Sequence, residues 1–86
     1  MPEYRVSLKS SAEKEFFRLP DPVSARILPK LKALTTDPRP HGSKKLSGSK
    51  DTWRIRVGDY RVIYAIDDQA KTVKVTRIAH RREVYE

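Results

Sequence analysis

The stretch WRIRVGDYRVIY, residues 53–64, decides the fold of this chain. Apolar and basic residues alternate on both sides of Gly58-Asp59, which is the pattern of two half-buried strands joined by a two-residue turn. The turn fixes the facing residues of the hairpin, which pair Trp53 with Tyr64, Ile55 with Val62 and Arg56 with Arg61. Strands are therefore predicted over 52–57 and 60–66.

Two helices are predicted ahead of this hairpin. Ser10 is a candidate N-cap with Glu13 three residues later, and Asp21 can cap a second helix that has Pro22 at its first position. Pro29 lies inside the second helical pattern. It predicts a bend rather than a break, because proline removes one backbone hydrogen bond from a helix interior.

The remaining strand patterns complete the domain. Residues 4–8 alternate polar and apolar side chains, residues 44–46 are a possible short strand within a proline- and glycine-rich loop, and residues 72–80 form the last strand. The apolar positions of that last strand change parity after Val75, which predicts a β-bulge near Thr76-Arg77. Together these elements predict an α+β fold in which a small antiparallel sheet packs against two N-terminal helices.

Composition limits the function classes. The chain has 86 residues and a formal charge of +8, from 19 lysines and arginines against 11 aspartates and glutamates. This indicates a single domain over residues 1–86 and a polyanionic partner. The absence of cysteine excludes a disulfide scaffold and suits a reducing cytoplasm. No apolar run approaches the roughly 20 residues of a membrane span, and the first residues lack a secretory signal pattern, so we expect a cytoplasmic protein without a membrane partner.

Metal and phosphate-loop chemistry have little support in the residues. His41 and His80 are far apart in sequence, and neither has the ligand spacing of a metal site. The chain contains no glycine-rich phosphate loop and no strand-turn-helix serine motif. We therefore expect no metal and no cofactor.

Three arginines of the hairpin are the first candidate site. Arg54, Arg56 and Arg61 are predicted on one exposed face of the sheet, where like charges directly opposite each other cost up to about 1 kcal/mol. A bound anion would relieve that repulsion, and a guanidinium matches two phosphate oxygens at once. The alternative is that the arginines only keep this face soluble. The predicted bulge would turn the ring of His80 toward Arg56 and Arg61.

The order of these motifs resembles the RelE branch of the RelE/ParE toxin superfamily. The resemblance covers nearly the whole chain and rests on the strand and two-helix opening and on four segments, namely residues 37–40, 44–48, 53–64 and 80–85. It implies a RelE-like microbial ribonuclease fold and the toxin of a type II toxin-antitoxin system. Members of the RelE branch are cytoplasmic endoribonucleases that enter the ribosomal A site, cleave mRNA there and arrest growth. Each is neutralised by a cognate antitoxin.

The resemblance also carries residue roles onto this sequence. It places family residues at Arg54, Arg56, Arg61, Arg81 and Tyr85. With the chemistry of the neighbouring residues added, the predicted catalytic set consists of Arg61, His80, Arg81 and Tyr85, and the predicted RNA-binding set consists of Lys44, Lys45, Arg54, Arg56 and Arg82. Attack by the RNA 2′-hydroxyl on the adjacent phosphate would need a proton acceptor, a stabiliser of the charge on phosphorus and a proton donor. Arg61 and Arg81 suit the second task, and His80 is the candidate base because histidine is the side chain suited to proton transfer near neutral pH. Tyr85 could stack on a base or donate a proton.

Alternatives stay open at this point. Arg82 competes with Arg81 for one role, because the spacing before Tyr85 is shorter than in some members of the branch. The whole chain could also be a ParE-like inhibitor that binds DNA gyrase without cutting RNA, or an RNA-binding domain without catalysis. His80 and the Arg56-Arg61 pair favour the nuclease.

Overall fold

The structure, a computed structural model, describes residues 3–83. In chain order the elements are β1 (Arg5–Leu8), α1 (Ser10–Phe17), α2 (Asp21–Ala33), β2 (Lys44–Lys45), β3 (Thr52–Val57), β4 (Tyr60–Asp67), β5 (Thr72–His80) and a 3₁₀ turn (Arg81–Glu83). The predicted α+β class, the two helices and the strand positions are confirmed. No helix within residues 3–83 is long and apolar enough to cross a membrane.

The five strands form one mixed sheet in the order β1-β5-β4-β3-β2. The four strands from β2 to β5 are antiparallel neighbours, whereas β1 runs parallel to β5. The prediction of a wholly antiparallel sheet is therefore wrong for β1. Its alternating pattern shows which of its faces is buried, but the choice of neighbour and direction depends on where the later strands bring the chain, which no local pattern encodes.

The β3–β4 hairpin has the predicted register. Its turn is Gly58-Asp59, and Gly58 has a φ of +59°, as a two-residue turn with glycine first requires. The guanidinium of Arg26 on α2 lies beside this glycine, 3.2 Å from the position that a Cβ would occupy. A larger residue at position 58 would therefore meet both backbone strain and a close contact.

The core lies between the helices and one face of the sheet. It contains Ala12 of α1, two residues of α2, Leu34 just after that helix, and apolar residues of the three central strands, namely Ile27, Leu31, Leu34, Ile55, Val57, Val62, Tyr64, Ile66, Val73, Val75 and Ile78. Tyr64 is fully buried, and its hydroxyl donates a 2.8 Å hydrogen bond to the carbonyl of Pro38. Burial raises the pKa of Tyr64 to about 12, so the phenol stays protonated as the donor that holds the loop between α2 and β2.

Both helices begin one residue away from the predicted positions. Lys9 and Pro20 occupy the N-cap positions, and within the described residues neither helix has a side-chain cap bond. Ser10 and Asp21 are instead the first residues of their helices, so the predicted caps are wrong. Backbone contacts fix the first start, because the amide of Lys9 donates to Val75 of β5 at 2.8 Å. Pro29 lies inside one continuous helix, as expected.

Candidate nucleic-acid interface

Arg56 and Arg61 face each other across the β3–β4 hairpin, as predicted. Their neighbours Ile55 and Val62 are buried in the core, so strand alternation directs the two arginines to the face opposite the helices. Arg56 is exposed and Arg61 is half-buried. Directly opposed residues in a sheet have Cβ atoms about 5 Å apart, so a single phosphate could accept hydrogen bonds from both guanidinium groups.

Arg54 differs from the other two arginines. It is only 8% exposed, so its prediction as a member of an exposed face is wrong. The reason is its place in the sheet, because Arg54 is flanked by Lys44 on β2 and by Ile63 on β4. Arg56 lies beyond the end of β2 and has a strand neighbour on the β4 side alone within the described residues.

The two lysines of β2 are separated by strand alternation. Both are exposed, and Lys44 pairs with Arg54 whereas Lys45 pairs with Trp53. Because successive side chains of a strand point to opposite faces, Lys44 joins the arginine face and Lys45 does not. The structure therefore brings Lys44, Arg54, Arg56 and Arg61 together from the predicted set.

A β-bulge in β5 is confirmed at the predicted place. Ile63 pairs with Arg77 and Tyr64 pairs with Val75, which leaves Thr76 as the extra residue. The bulge is held from outside the sheet by Glu15 of α1, whose Oε1 accepts a 2.8 Å hydrogen bond from the amide of Ile78. Its Oε2 lies 3.7 Å from Nε of Arg77. Sequence analysis did not identify this role of Glu15.

His80 lies on the helical side of the sheet. Its ring packs edge-on against Tyr60 with centroids 5.3 Å apart, and it lines a small cavity with Glu15 and Arg18 of the α1 segment. The expectation that the bulge turns this ring toward Arg56 and Arg61 is wrong. The bulge restores Ile78 to the core, so His80, two residues later, takes the same face.

The His80 ring forms a hydrogen bond with the backbone that follows it. Its Nδ1 accepts a hydrogen bond of 3.3 Å from the amide of Arg82. A neutral imidazole that accepts at Nδ1 carries its hydrogen on Nε2. In this arrangement His80 therefore holds the 3₁₀ turn that follows it.

Arg81 is attached to the β3–β4 turn. Its amide donates a 2.7 Å hydrogen bond to the carbonyl of Asp59, and its Nε lies 3.9 Å from Oδ1 of the same residue. Both side chains are more than half exposed, so the ion pair is loose. The backbone contact places Arg81 at the end of the sheet that carries Arg56 and Arg61. Arg82 is exposed, and Tyr85 lies outside the described residues.

A second polar cluster supports the loop between α2 and β2. Arg39 donates to both oxygens of Asp68, at 3.2 and 2.8 Å, and the hydroxyl of Tyr4 donates to Oδ1 at 2.6 Å. The hydrogen bonds from Arg39, and then from Tyr4, lower the pKa of Asp68 to about 2. The Arg39 guanidinium also lies over the ring of Trp53, 5.4 Å from its centroid. This cluster therefore joins the loop to β3 and to the β4–β5 turn.

Comparison with known proteins agrees with this architecture. The family described as the ParE toxin of the type II toxin-antitoxin system parDE matches residues 6–85. The chain is 31% identical to toxin RelE of Mycobacterium tuberculosis over 83 residues, which cover 95% of this chain and 86% of that toxin. It is 29% identical to toxin RelG of the same organism, with 95% of both chains covered.

Solved structures of similar fold include the archaeal RelE-RelB complex from Pyrococcus horikoshii OT3, with a TM-score of 0.83, 31% identity, and coverage of 98% of this chain and 100% of that chain. The isolated E. coli RelE toxin matches with a TM-score of 0.80 and 26% identity, over 90% of this chain and 83% of that one. The chain therefore belongs to the RelE/ParE superfamily of type II toxin-antitoxin toxins, in its RelE-like branch. The predicted resemblance and the RelE-like fold are confirmed.

Proposed function

We propose that this toxin is a ribosome-dependent endoribonuclease that cleaves mRNA in the A site in the cytoplasm. The observation that supports this most directly is the opposed pair Arg56 and Arg61 on the sheet face away from the helices. Arg81 is held at the same end of the sheet by Asp59. Opposed guanidinium groups, with a third arginine at the same end of the sheet, suit a phosphate that gains negative charge during the reaction.

The chemistry that fits this surface is an internal transfer within the RNA. The 2′-oxygen attacks the adjacent phosphorus, the bond from phosphorus to the 5′-oxygen breaks, and the products are a 2′,3′-cyclic phosphate and a free 5′-hydroxyl. We assign stabilisation of the charge on phosphorus to Arg61 and Arg81. Lys44, Arg54 and Arg56 would position the flanking phosphates, because contacts to phosphates orient a nucleic acid without reading its sequence.

Proton transfer needs a different assignment from the one that sequence analysis suggests. Arginine stays protonated and is a poor base. One ring nitrogen of His80, Nδ1, already accepts a hydrogen bond from the Arg82 amide. We therefore propose that His80 positions the Arg81-Arg82 turn and that the ribosome supplies the proton acceptor. Tyr85 keeps its proposed role of stacking on a base or donating a proton to the leaving oxygen.

A cognate antitoxin is the proposed neutralising partner. Two of the similar solved structures are a RelE-RelB complex and the RelBE2 toxin-antitoxin complex of M. tuberculosis. A chain with a charge of +8 favours a partner that brings acidic residues to the basic face. Gyrase inhibition is not favoured, because the similar curated proteins are RelE and RelG toxins.

The test uses purified parent protein and Arg61→Ala on programmed ribosomes, with primer extension to map cuts. We expect the parent to cut in the A-site codon and Arg61→Ala to lose at least about 100-fold in rate, as expected for removal of one preorganised donor. Arg5→Ala, which removes an exposed arginine from β1 at one edge of the sheet, is the matched control and should cut normally. A parent that leaves mRNA intact and blocks gyrase supercoiling would refute the proposal.

A further inference from the structure

A basic cavity of about 400 Å³ opens where α2, the loop before β2 and the edge of β3 meet. Four cationic residues line it, Lys30 from α2, Lys44 from β2, and Arg54 and Arg56 from β3. A volume of this size lies within the range of small-ligand sites. Because four positive charges surround one concave space, an anionic ligand is expected there.

The rest of the lining is apolar or aromatic. Ala33 lies one helical turn after Lys30, and Pro40 and Ile55 provide further apolar surface, while His41 contributes a flat ring. A ligand that matches this cavity needs a phosphate and a flat, largely apolar part. A nucleotide of an RNA chain has both of these parts, a phosphate and a flat base.

The cavity is joined to the proposed cleavage surface through one residue. Arg56 lines the cavity and also faces Arg61 across the hairpin. Within the described residues, β2 pairs with β3 at positions 53 and 54 alone, so the edge of β3 next to the cavity carries no further strand. Backbone groups at that edge are therefore available to a base.

We propose that this cavity, here called the Lys30 cavity, binds the nucleotide next to the one that is cleaved. This inference rests on the proposed function. Lys30 binds the phosphate of that nucleotide, and Ala33 and Pro40 contact its base. The site would set how strongly the toxin holds RNA and which neighbouring base it prefers, and it leaves the reaction itself to Arg61 and Arg81.

The first test measures binding of a 2′-O-methyl RNA hexamer, which lacks the attacking hydroxyl, to the 86-residue chain by fluorescence anisotropy. Lys30→Ala should weaken binding about tenfold, because the variant lacks one charged hydrogen bond to the phosphate. The slope of log affinity against log salt should become less steep by about 0.7. Lys30→Arg should restore both values. Lys32→Ala is the matched control, because Lys32 is an exposed lysine of the same helix outside the cavity lining.

The second test fills the cavity without changing charge. Ala33→Phe should weaken hexamer binding at least about tenfold, because a phenyl ring would occupy the space assigned to the base. Ala25→Phe places the same ring at an exposed position of α2 outside the cavity lining and should bind like the parent. Circular dichroism melts of all variants establish that each is folded.

Cleavage mapping separates the two proposals. If both hold, Lys30→Ala raises the RNA concentration needed for half-maximal cleavage and alters the base preference beside the cut, while the single-turnover rate at saturation stays at the parent value. If the parent binds the hexamer through Lys30 but cuts no message on ribosomes, the proposed function fails and the cavity remains a nucleotide site. If Lys30→Ala and Ala33→Phe bind and cleave like their controls, the inference is overturned. The variant Lys30→Glu provides a further check. If it no longer captures the antitoxin but binds the hexamer like the parent, the cavity contacts the antitoxin and not RNA, and the inference is overturned.

Discussion

Replacement of Glu15 tests how the fold positions the cleavage surface. The carboxylate accepts a 2.8 Å hydrogen bond from the amide of Ile78, just after the bulge of β5. Ile78 is 2% exposed, so Glu15→Ala leaves its amide without this acceptor. A hydrogen bond to a charged group contributes about 1.5–3 kcal/mol. The ion pair between Glu15 and Arg77 contributes less than about 1 kcal/mol to stability, because both side chains are partly exposed.

The expected loss in Glu15→Ala is therefore about 2–3 kcal/mol of unfolding free energy, or a decrease in Tm of roughly 10–20 °C for a domain of this size. Glu15→Gln keeps an oxygen acceptor and should lose only about 1 kcal/mol. Urea denaturation followed by circular dichroism measures both values. Glu13→Ala, an exposed position on the same helix, is the control and should cost less than about 1 kcal/mol.

The bulge also connects Glu15 to activity. It determines which residues of β5 reach the core, and the strand then leads directly into Arg81. A shift of about 1 Å in a reacting group can reduce a rate about 100-fold, so the folded Glu15→Ala protein should cleave much more slowly than Glu13→Ala. If Glu15→Ala matches Glu13→Ala in both stability and cleavage, the carboxylate of Glu15 does not hold the bulge.

Three further predictions concern the residues around the site. His80→Asn keeps an acceptor for the Arg82 amide, so it should cleave with the parent's pH profile, whereas His80→Ala should be slower. Because the pKa of Asp68 is lowered to about 2, its charged form stabilises the fold above about pH 4, and this contribution is lost as the pH falls toward 2. The difference in urea midpoint between the parent and Asp68→Asn should shrink over that range. Tyr64→Phe should cost about 1–3 kcal/mol in urea denaturation, because a buried loop carbonyl loses its donor.

Each of these has a result that would contradict it. A pH profile that changes in His80→Asn would return the histidine to the role of general base. A urea-midpoint difference that is constant from pH 5 to pH 2 would mean that Asp68 does not titrate with the lowered pKa. Parent-like stability of Tyr64→Phe would show that another group satisfies the carbonyl.

Local patterns predicted the elements whose partners are near in sequence. The hairpin from β3 to β4 follows from alternation on both sides of Gly58-Asp59, and the bulge follows from a parity change within one strand. The parallel pairing of β1 with β5 was not predicted, because its partner lies more than 60 residues away. Alternation also placed Arg54 and Arg56 on one face, but it could not show that β2 flanks only Arg54.

The direction of His80 could have been inferred from the bulge. Once Thr76 is the extra residue, Ile78 and His80 share the core face. Glu15 also left a signal, because it falls at helical spacing with Ala12, Phe16 and Leu19, where an acidic residue on a buried face calls for a partner. The partner itself, a backbone amide of β5, has no side-chain signature in the sequence.

We infer that the opposed arginines Arg56 and Arg61 assist attack by the RNA's own 2′-hydroxyl. The most direct measurement determines the end groups of mRNA fragments made by the purified protein on programmed ribosomes. We predict a 5′-hydroxyl on the downstream fragment, which polynucleotide kinase can label without prior phosphatase treatment, and a 2′,3′-cyclic phosphate on the upstream fragment. A message with a 2′-O-methyl group at the cleaved position should stay intact. Downstream fragments with a 5′-phosphate, or cleavage of the 2′-O-methyl message, would show that the RNA 2′-hydroxyl is not the nucleophile.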